Sequence, residues 1–223
     1  LIRPPVFKPK KDFMMNLATP INPILIDVPV PIVTSRLLIR PVTIGDGAAI
    51  HAMKDETWDE LLPWMPWAQT EDGNRTAESC EAVVREAYAD FILRKDITMM
   101  GFERSADGTI GPPVLMTGLH RFCWNLRSFE IGFWVRKSAQ GQGYATETAN
   151  ALTRYAFGAL AARRVMVTHA GGNERSRNVI EKLGFTLEAT RLKDAMFPNG
   201  TIMDHYDYVR FDTNNLPDLD VRW

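Results

Sequence analysis

The chain is poor in the residues that carry metal and redox chemistry. Cysteine occurs only twice in 223 residues, at Cys80 and Cys123. Two thiols so far apart make neither a zinc spacing nor a disulfide framework, so they read as small buried hydrophobes in a protein of a reducing compartment. The four histidines, His51, His120, His169 and His205, show no i,i+4 pairing and have no cysteine partners, and no metal is expected. Charge of neither sign is in excess. The formal net charge of −1 gives no footprint for DNA, whose backbone favours a strongly basic face. No apolar run approaches the roughly twenty residues of a membrane helix, and no signal-peptide pattern opens the chain. These absences predict a soluble, cytoplasmic protein with no metal, no DNA partner and no membrane partner.

What is present is centred on one stretch, Ile131-Gly132-Phe133-Trp134-Val135-Arg136-Lys137-Ser138-Ala139-Gln140-Gly141-Gln142-Gly143-Tyr144-Ala145-Thr146-Glu147. An aromatic and β-branched strand is followed by a polar loop with two glycines and then by an Ala-rich segment of helical spacing. Gly141 and Gly143 allow a tight turn and a close approach of backbone to ligand. The amides of the loop and first helical turn point together at the positive end of a helix dipole. A pyrophosphate fits such a junction. A Walker loop would need Gly-Lys-Ser/Thr where Gly143, Tyr144 and Ala145 stand. A dinucleotide fingerprint would need glycine at Thr146 and an acidic residue near Ala162 and Arg163; the first is excluded and the second fits poorly.

A hydrophobic content of 45% over this length supports one large domain. We read residues 1–33, studded with proline and carrying Lys8-Pro9-Lys10-Lys11, as a mobile arm, 34–213 as the domain and 214–223 as a tail. Arg36 to Pro41 reads as a strand, and Thr43 to Asp46 as the lead into a short helix ending near Lys54. Trp58 to Trp67, with Pro63 and Pro66, is expected to be an irregular loop presenting its tryptophans either to a ligand or as a lid on the core. Cys80, Val84, Ala87 and Phe91 recur at helical spacing between Thr76 and Lys95. Strands are expected at Ile97–Glu103, Val114–Phe122 and Ser128–Val135, with Ser105 to Gly108 as a hairpin turn.

Ala145, Ala149, Leu152, Ala156 and Leu160 form one stripe, predicting a helix from Tyr144 to about Leu160 whose N-terminus meets the loop. Arg164 to His169 then gives a β-loop-α-β unit with parallel outer strands. Asn173 opens a second helix on which Ser176, Ile180 and Leu183 share its face, Gly184 closes it, and strands follow at Phe185–Leu192 and Ile202–Phe211. The fold class is α+β (mixed α/β): a mostly antiparallel central sheet with one β-α-β crossover and flanking helices.

Two of these segments resemble the GNAT N-acetyltransferase superfamily. Gln140-Gly141-Gln142-Gly143-Tyr144-Ala145 meets its acyl-CoA loop pattern, Gln/Arg-x-x-Gly-x-Gly/Ala, and Asn173-x-x-Ser176 with Lys182 and Gly184-Phe185 is similar to its second signature. The wording Thr34-Ser35-Arg36-Leu37-Leu38-Ile39-Arg40-Pro41 resembles the opening strand of the RimJ/RimL-like branch, which acetylates N-terminal amines of ribosomal proteins.

The resemblance implies acetyl-CoA as co-substrate, a ternary complex and direct attack by an amine, so the protein must supply a proton acceptor, oxyanion donors and an acid. Strand alternation places Glu130, Gly132 and Trp134 on one face, and Glu130 is the expected base, either over the cleft or paired with Arg127 or Arg121 at the strand's wet end. By resemblance, the main chain of Phe133, Trp134 and Val135 serves the oxyanion and the pantetheine arm, beside a strand that splays away. Asn173 bonds the same arm, and Gln140, Gly141, Gln142, Gly143, Tyr144 and Ala145 hold the diphosphate. Ser176 is the implied acid, since the alternative tyrosine position is occupied by Ile180. Trp64 and Trp67, in a Leu-x-Pro-Trp loop like that of the branch, are implied to border the acceptor together with Glu130. The implied acceptor is a protein N-terminal amine of the ribosomal type. A small amine (polyamine, amino acid or aminoglycoside) is the alternative, and a non-catalytic acyl-CoA module or a ribosome-binding adaptor are readings from other classes. The chain is expected to be a monomer or homodimer.

Overall fold

The computed structural model describes residues 22–69 and 75–223. An eight-stranded sheet runs through the molecule in the order β1-β2-β3-β4-β5-β6-β8-β7. Its strands are β1 (Ile32–Val33), β2 (Leu37–Pro41), β3 (Ile97–Arg104), β4 (Ile110–Cys123), β5 (Ser128–Val135), β6 (Arg164–Ala170), β7 (Thr186–Met196) and β8 (Ile202–Arg210). Neighbours are antiparallel except β5 and β6. The helices are α1 (Gly47–Leu61), α2 (Ala77–Ile92), α3 (Tyr144–Gly158) and α4 (Glu174–Lys182). The expected β5-α3-β6 crossover is present, and β6-α4-β7 adds a second one that leaves room for β8 in between.

Side-chain parity divides the core between the two faces of the sheet. Ile97, Met99, Leu115, Leu119, Phe129 and Ile131 pack with Ala149, Leu152 and Ala156 of α3 and with Ile180 and Leu183 of α4. On the other face Met100 and Met116 meet Ile50 and Met53 of α1 and Cys80 and Val84 of α2. Each large side chain so buried contributes about 1.5–3 kcal/mol. α2 starts at a capping box, where Thr76 and Ser79 satisfy each other's backbone amides. β3 and β4 shift register twice around Phe102 and Pro113, as a proline with no ladder donor requires.

The segment Trp58 to Trp67 corrects one expectation. α1 does not stop near Lys54 but runs to Leu61, carrying Trp58 in its last turn, and a 3-10 helix at Pro66–Gln69 follows the turn. The cause is local: the first proline is Pro63, no residue before it breaks a helix, and Met53, Thr57 and Leu61 continue the buried stripe. Cys123, expected to be buried, is exposed, whereas Cys80 is buried.

The ends of the described chain belong to the same body. Residues 22–33 include β1, with Ile32 fully buried, while residues 1–21 of the expected arm lie outside the described residues. Val33 and Arg222 exchange backbone hydrogen bonds of 2.7 and 2.9 Å. Asn150 and Arg154 of α3 donate to the Pro217 carbonyl, and Trp223 packs edge-on against Tyr155. The expected tail therefore covers α3, which explains why that helix is buried on nearly every side.

Candidate active site

The glycine loop leaves a row of backbone donors without partners. Gly141 and Gly143 sit at φ +74° and +84°, a region in which a side chain would cost about 1–2 kcal/mol. Gly143 is the N-cap of α3 and offers no side chain to its amides. The Glu147 amide bonds the Gly143 carbonyl at 3.0 Å. Among the described residues, the amides from Gly141 to Thr146 have no hydrogen-bond partner. Such a donor row at a helix N-terminus suits a diphosphate.

Side chains from distant elements hold the loop in shape. Lys137 and Ser138 donate their amides to Thr57 Oγ1 and Glu56 Oε1 of α1, at 3.0 and 2.5 Å, and Arg136 pairs with Glu56. Bonds from Ser138, then from Arg136, depress the Glu56 carboxyl from 4.5 to about 2. In the first turn of α3, the buried Glu147 accepts from Thr34 Oγ1 at 2.6 Å and from Arg36 Nε at 2.7 Å, and Arg36 also reaches the Gln142 carbonyl at 3.0 Å. Tyr144 turns inward, its hydroxyl donating to Glu103 at 2.8 Å. Burial, then this bond, raises its pKa above the ordinary value.

Next to the loop the sheet opens. β5 and β6 pair at Ser128–Arg164, Phe129–Val165 and Glu130–Met166 and no further, so beyond Glu130 the edge of β5 that carries Phe133, Trp134 and Val135 has no partner strand. Glu130 stands where the strands part. It is buried, is paired with Arg121 and accepts from Thr168 Oγ1 of β6 at 3.3 Å. It also lines a cleft of about 500 Å³ with Gly132, Phe133, Trp134 and Trp67. Glu130 thus faces the cleft and is paired with Arg121, but it is buried and not at a wet end of the strand.

The second motif meets the first through a side chain. Asn173 caps α4, its Oδ1 accepting the Ser176 amide at 3.1 Å. Between them Arg175 donates to Gln140 Oε1 of the loop and to Glu60 of α1, each at 2.9 Å, while Gln140 Nε2 donates to Glu60 at 2.7 Å and to the Val135 carbonyl at 3.2 Å. The bond from Gln140, then that from Arg175, lowers the Glu60 pKa. Trp64 stands apart from Trp67: it packs edge-on against Phe197 beyond β7, 5.0 Å between ring centroids, while Trp67 lies over Lys54 on the cleft wall.

Residues 36–186 match the family described as the acetyltransferase (GNAT) domain. The chain belongs to the GNAT acetyltransferase family. It is 38% identical over 184 residues to the Bacillus subtilis (strain 168) protein YdaF, a candidate ribosomal N-acetyltransferase, covering 80% of this chain and 91% of that relative. It is 27% identical over 160 residues to the ribosomal-protein-serine acetyltransferase of Escherichia coli (strain K12), covering 70% and 81%. Its fold is that of the structure of Mycobacterium smegmatis RimJ in complex with CoA-disulfide, with a TM-score of 0.70 at 23% identity over 81% of this chain and 85% of that one. Acetyl-CoA is accordingly the donor of this GNAT acetyltransferase, and the donor row and the open β5 edge suit its diphosphate and its amide-bearing arm. Among the described residues no cluster of side chains is fit to hold a metal ion, and no helix is long and apolar enough to cross a membrane.

Several groups around the cleft escaped the sequence reading: the Thr34-Arg36-Glu147 brace, the Glu60-Gln140-Arg175 bridge, and Lys54 and His120 in the cleft. Burial depresses the Lys54 ammonium below its ordinary pKa. Arg121 was expected as a partner of Glu130, but its place in the cleft beside His120 depends on a bulge. It follows His120 directly, so strict alternation would put the two on opposite faces, yet both line the cleft. The β4–β5 register slips between His120 and Cys123, and Arg121 adopts φ +42°.

Proposed function

We propose that this GNAT enzyme transfers the acetyl group of acetyl-CoA to a protein N-terminal amine of the ribosomal type, by direct attack within a ternary complex. The observation that carries the reading is the parting of β5 from β6 at Glu130, which opens one strand edge to a thioester arm beside a carboxylate that faces a cleft. In this reading Gln140, Gly141, Gln142, Gly143, Tyr144 and Ala145 provide the diphosphate cradle. The main chain of Phe133, Trp134 and Val135 and the side chain of Asn173 bind the pantetheine arm. Glu130 receives the acceptor's ammonium and accepts its proton directly or through water. Ser176 protonates the departing thiolate, and Trp67 and Trp64 border the acceptor on its inner and outer sides.

The names of the relatives support the acceptor class. The cleft wall favours a second reading: Val42, Ile50, Met65, Val84 and Met116 line it with Trp67 and Trp134, which suits a small amine with a compact apolar body. The test offers acetyl-CoA with ribosomal-protein N-terminal peptides and with polyamines, amino acids and aminoglycosides, and reads free CoA thiol and product mass. Acetylated peptide supports the reading. Turnover with small amines alone moves the acceptor to that class, and retained CoA binding without turnover on any amine leaves a binding module.

A further inference from the structure

A carboxylate-imidazole pair lies on the floor of the cleft, and nothing above gives it a task. His120 of β4 is the cross-strand partner of Glu130, and both line the cleft. Its Nδ1 lies 2.9 Å from Asp96 Oδ2 and 3.0 Å from Asp96 Oδ1. Thr98 Oγ1 holds the same carboxylate at 2.8 Å. A carboxylate only accepts, so Nδ1 carries the hydrogen, and in the neutral form of the ring the lone pair is therefore at Nε2. Among the described residues Nε2 has no hydrogen-bond partner.

The floor is shaped for this ring. Gly118 and Gly132 face each other across β4 and β5. A Cβ on Gly118 would come within 2.7 Å of His120 Nε2, and one on Gly132 within 3.3 Å. Two opposed glycines thus leave a side-chain-free strip on which the imidazole lies, with its unbonded nitrogen over the glycine pair and its other nitrogen fixed at the β3 end. The charged and titratable groups around it are Lys54 from α1, Cys80 from α2, Asp96 before β3, Arg121 beside it on β4 and Glu130 from β5.

We propose that His120, in place of Glu130, is the proton acceptor of the transfer and that Asp96 is its positioning residue: Glu130 holds the acceptor's ammonium, and His120 Nε2 takes its proton, directly or through one water. The proposal rests on the acetyl-transfer reading. The ammonium gives one proton to Nε2, the freed lone pair forms the C–N bond at the thioester carbonyl, and the C–S bond breaks with its electron pair leaving on sulfur. The sulfur takes a proton from the Ser176 hydroxyl, giving the thiol, the second N–H proton restores that hydroxyl, and the imidazolium returns the first proton to water. Arg121 and Thr168 both engage Glu130 through Oε1, which leaves Oε2 to hold the ammonium, whereas Nε2 has its acceptor site available.

The test measures kcat and KM for the acceptor, the pH profile of kcat/KM and acetyl-CoA affinity by calorimetry in the full-length wild type, His120→Gln, His120→Ala and Asp96→Asn. His120→Gln is expected to keep acetyl-CoA affinity and acceptor KM within about threefold while kcat falls about 100-fold or more. Its profile should lose an ionisation from the acid limb, since the base must be unprotonated to act. Added imidazole should restore part of the turnover of His120→Ala, and Asp96→Asn should lower kcat by about tenfold or more. Wild-type kcat in His120→Gln, or an unchanged acid limb without imidazole rescue, overturns the proposal and leaves acetyl transfer standing. A wild type that releases no CoA thiol with any amine overturns both.

Discussion

At the scale of the residue, Glu130 and its neighbours show what alternation can and cannot reveal. Period-two parity placed Glu130 with Gly132 and Trp134, and all three line the cleft. The same rule fails one strand away, because the bulge at Arg121 returns a side chain to the face it should have left. Removing the charge at Glu130 is therefore expected to act on the acceptor and not on the donor. Glu130→Gln should raise acceptor KM and lower kcat/KM by about tenfold or more, with acetyl-CoA affinity unchanged by calorimetry. Ser176 was legible from its motif, but its amide is held by Asn173. Ser176→Ala should leave acetyl-CoA affinity near wild type and lower kcat only several-fold, about tenfold at most, as single-turnover kinetics would show.

At the scale of the element, the loop before α3 was readable because its glycines are local signals: a positive φ and an uncapped helix start leave marks within six residues. The members that hold it were not, since Thr34, Arg36, Glu56 and Glu60 come from elements far away in sequence. Gly143→Ala forces a side chain into φ +84°. It should cost about 1–2 kcal/mol in a denaturant titration and weaken acetyl-CoA binding by about tenfold or more. The α1-to-loop tie has a pH signature. The Glu56 carboxyl is depressed from 4.5 to about 2 in the folded protein, so its bonds add stability above pH 4.5, an increment that fades as the pH falls toward 2. Glu56→Gln should be less stable at neutral pH and lose less stability than wild type between about pH 5 and 2, as urea midpoints across that range would show.

At the scale of the whole molecule, the mixed sheet followed from local patterns: strands joined by turns are antiparallel, and a strand pair bridged by a helix is parallel. The position of β8 between β6 and β7 was not legible, because that order is decided by pairing across the sheet and leaves no periodicity of its own. The contacts of the tail were not legible for a related reason. Val221 to Trp223 carries no pattern, yet Arg222 bonds Val33 and Trp223 packs on Tyr155. Deleting residues Val221 to Trp223 is expected to lower stability by about 1–3 kcal/mol, seen as a lower Tm. The account as a whole rests on backbone amides holding a diphosphate so that the thioester meets an amine at Glu130. Calorimetric titration with acetyl-CoA and with acetyl-pantetheine, which lacks the diphosphate, tests this directly. Tight binding of acetyl-CoA, with acetyl-pantetheine weaker by about 100-fold or more, is the predicted result, and equal affinities or no binding of acetyl-CoA would contradict it.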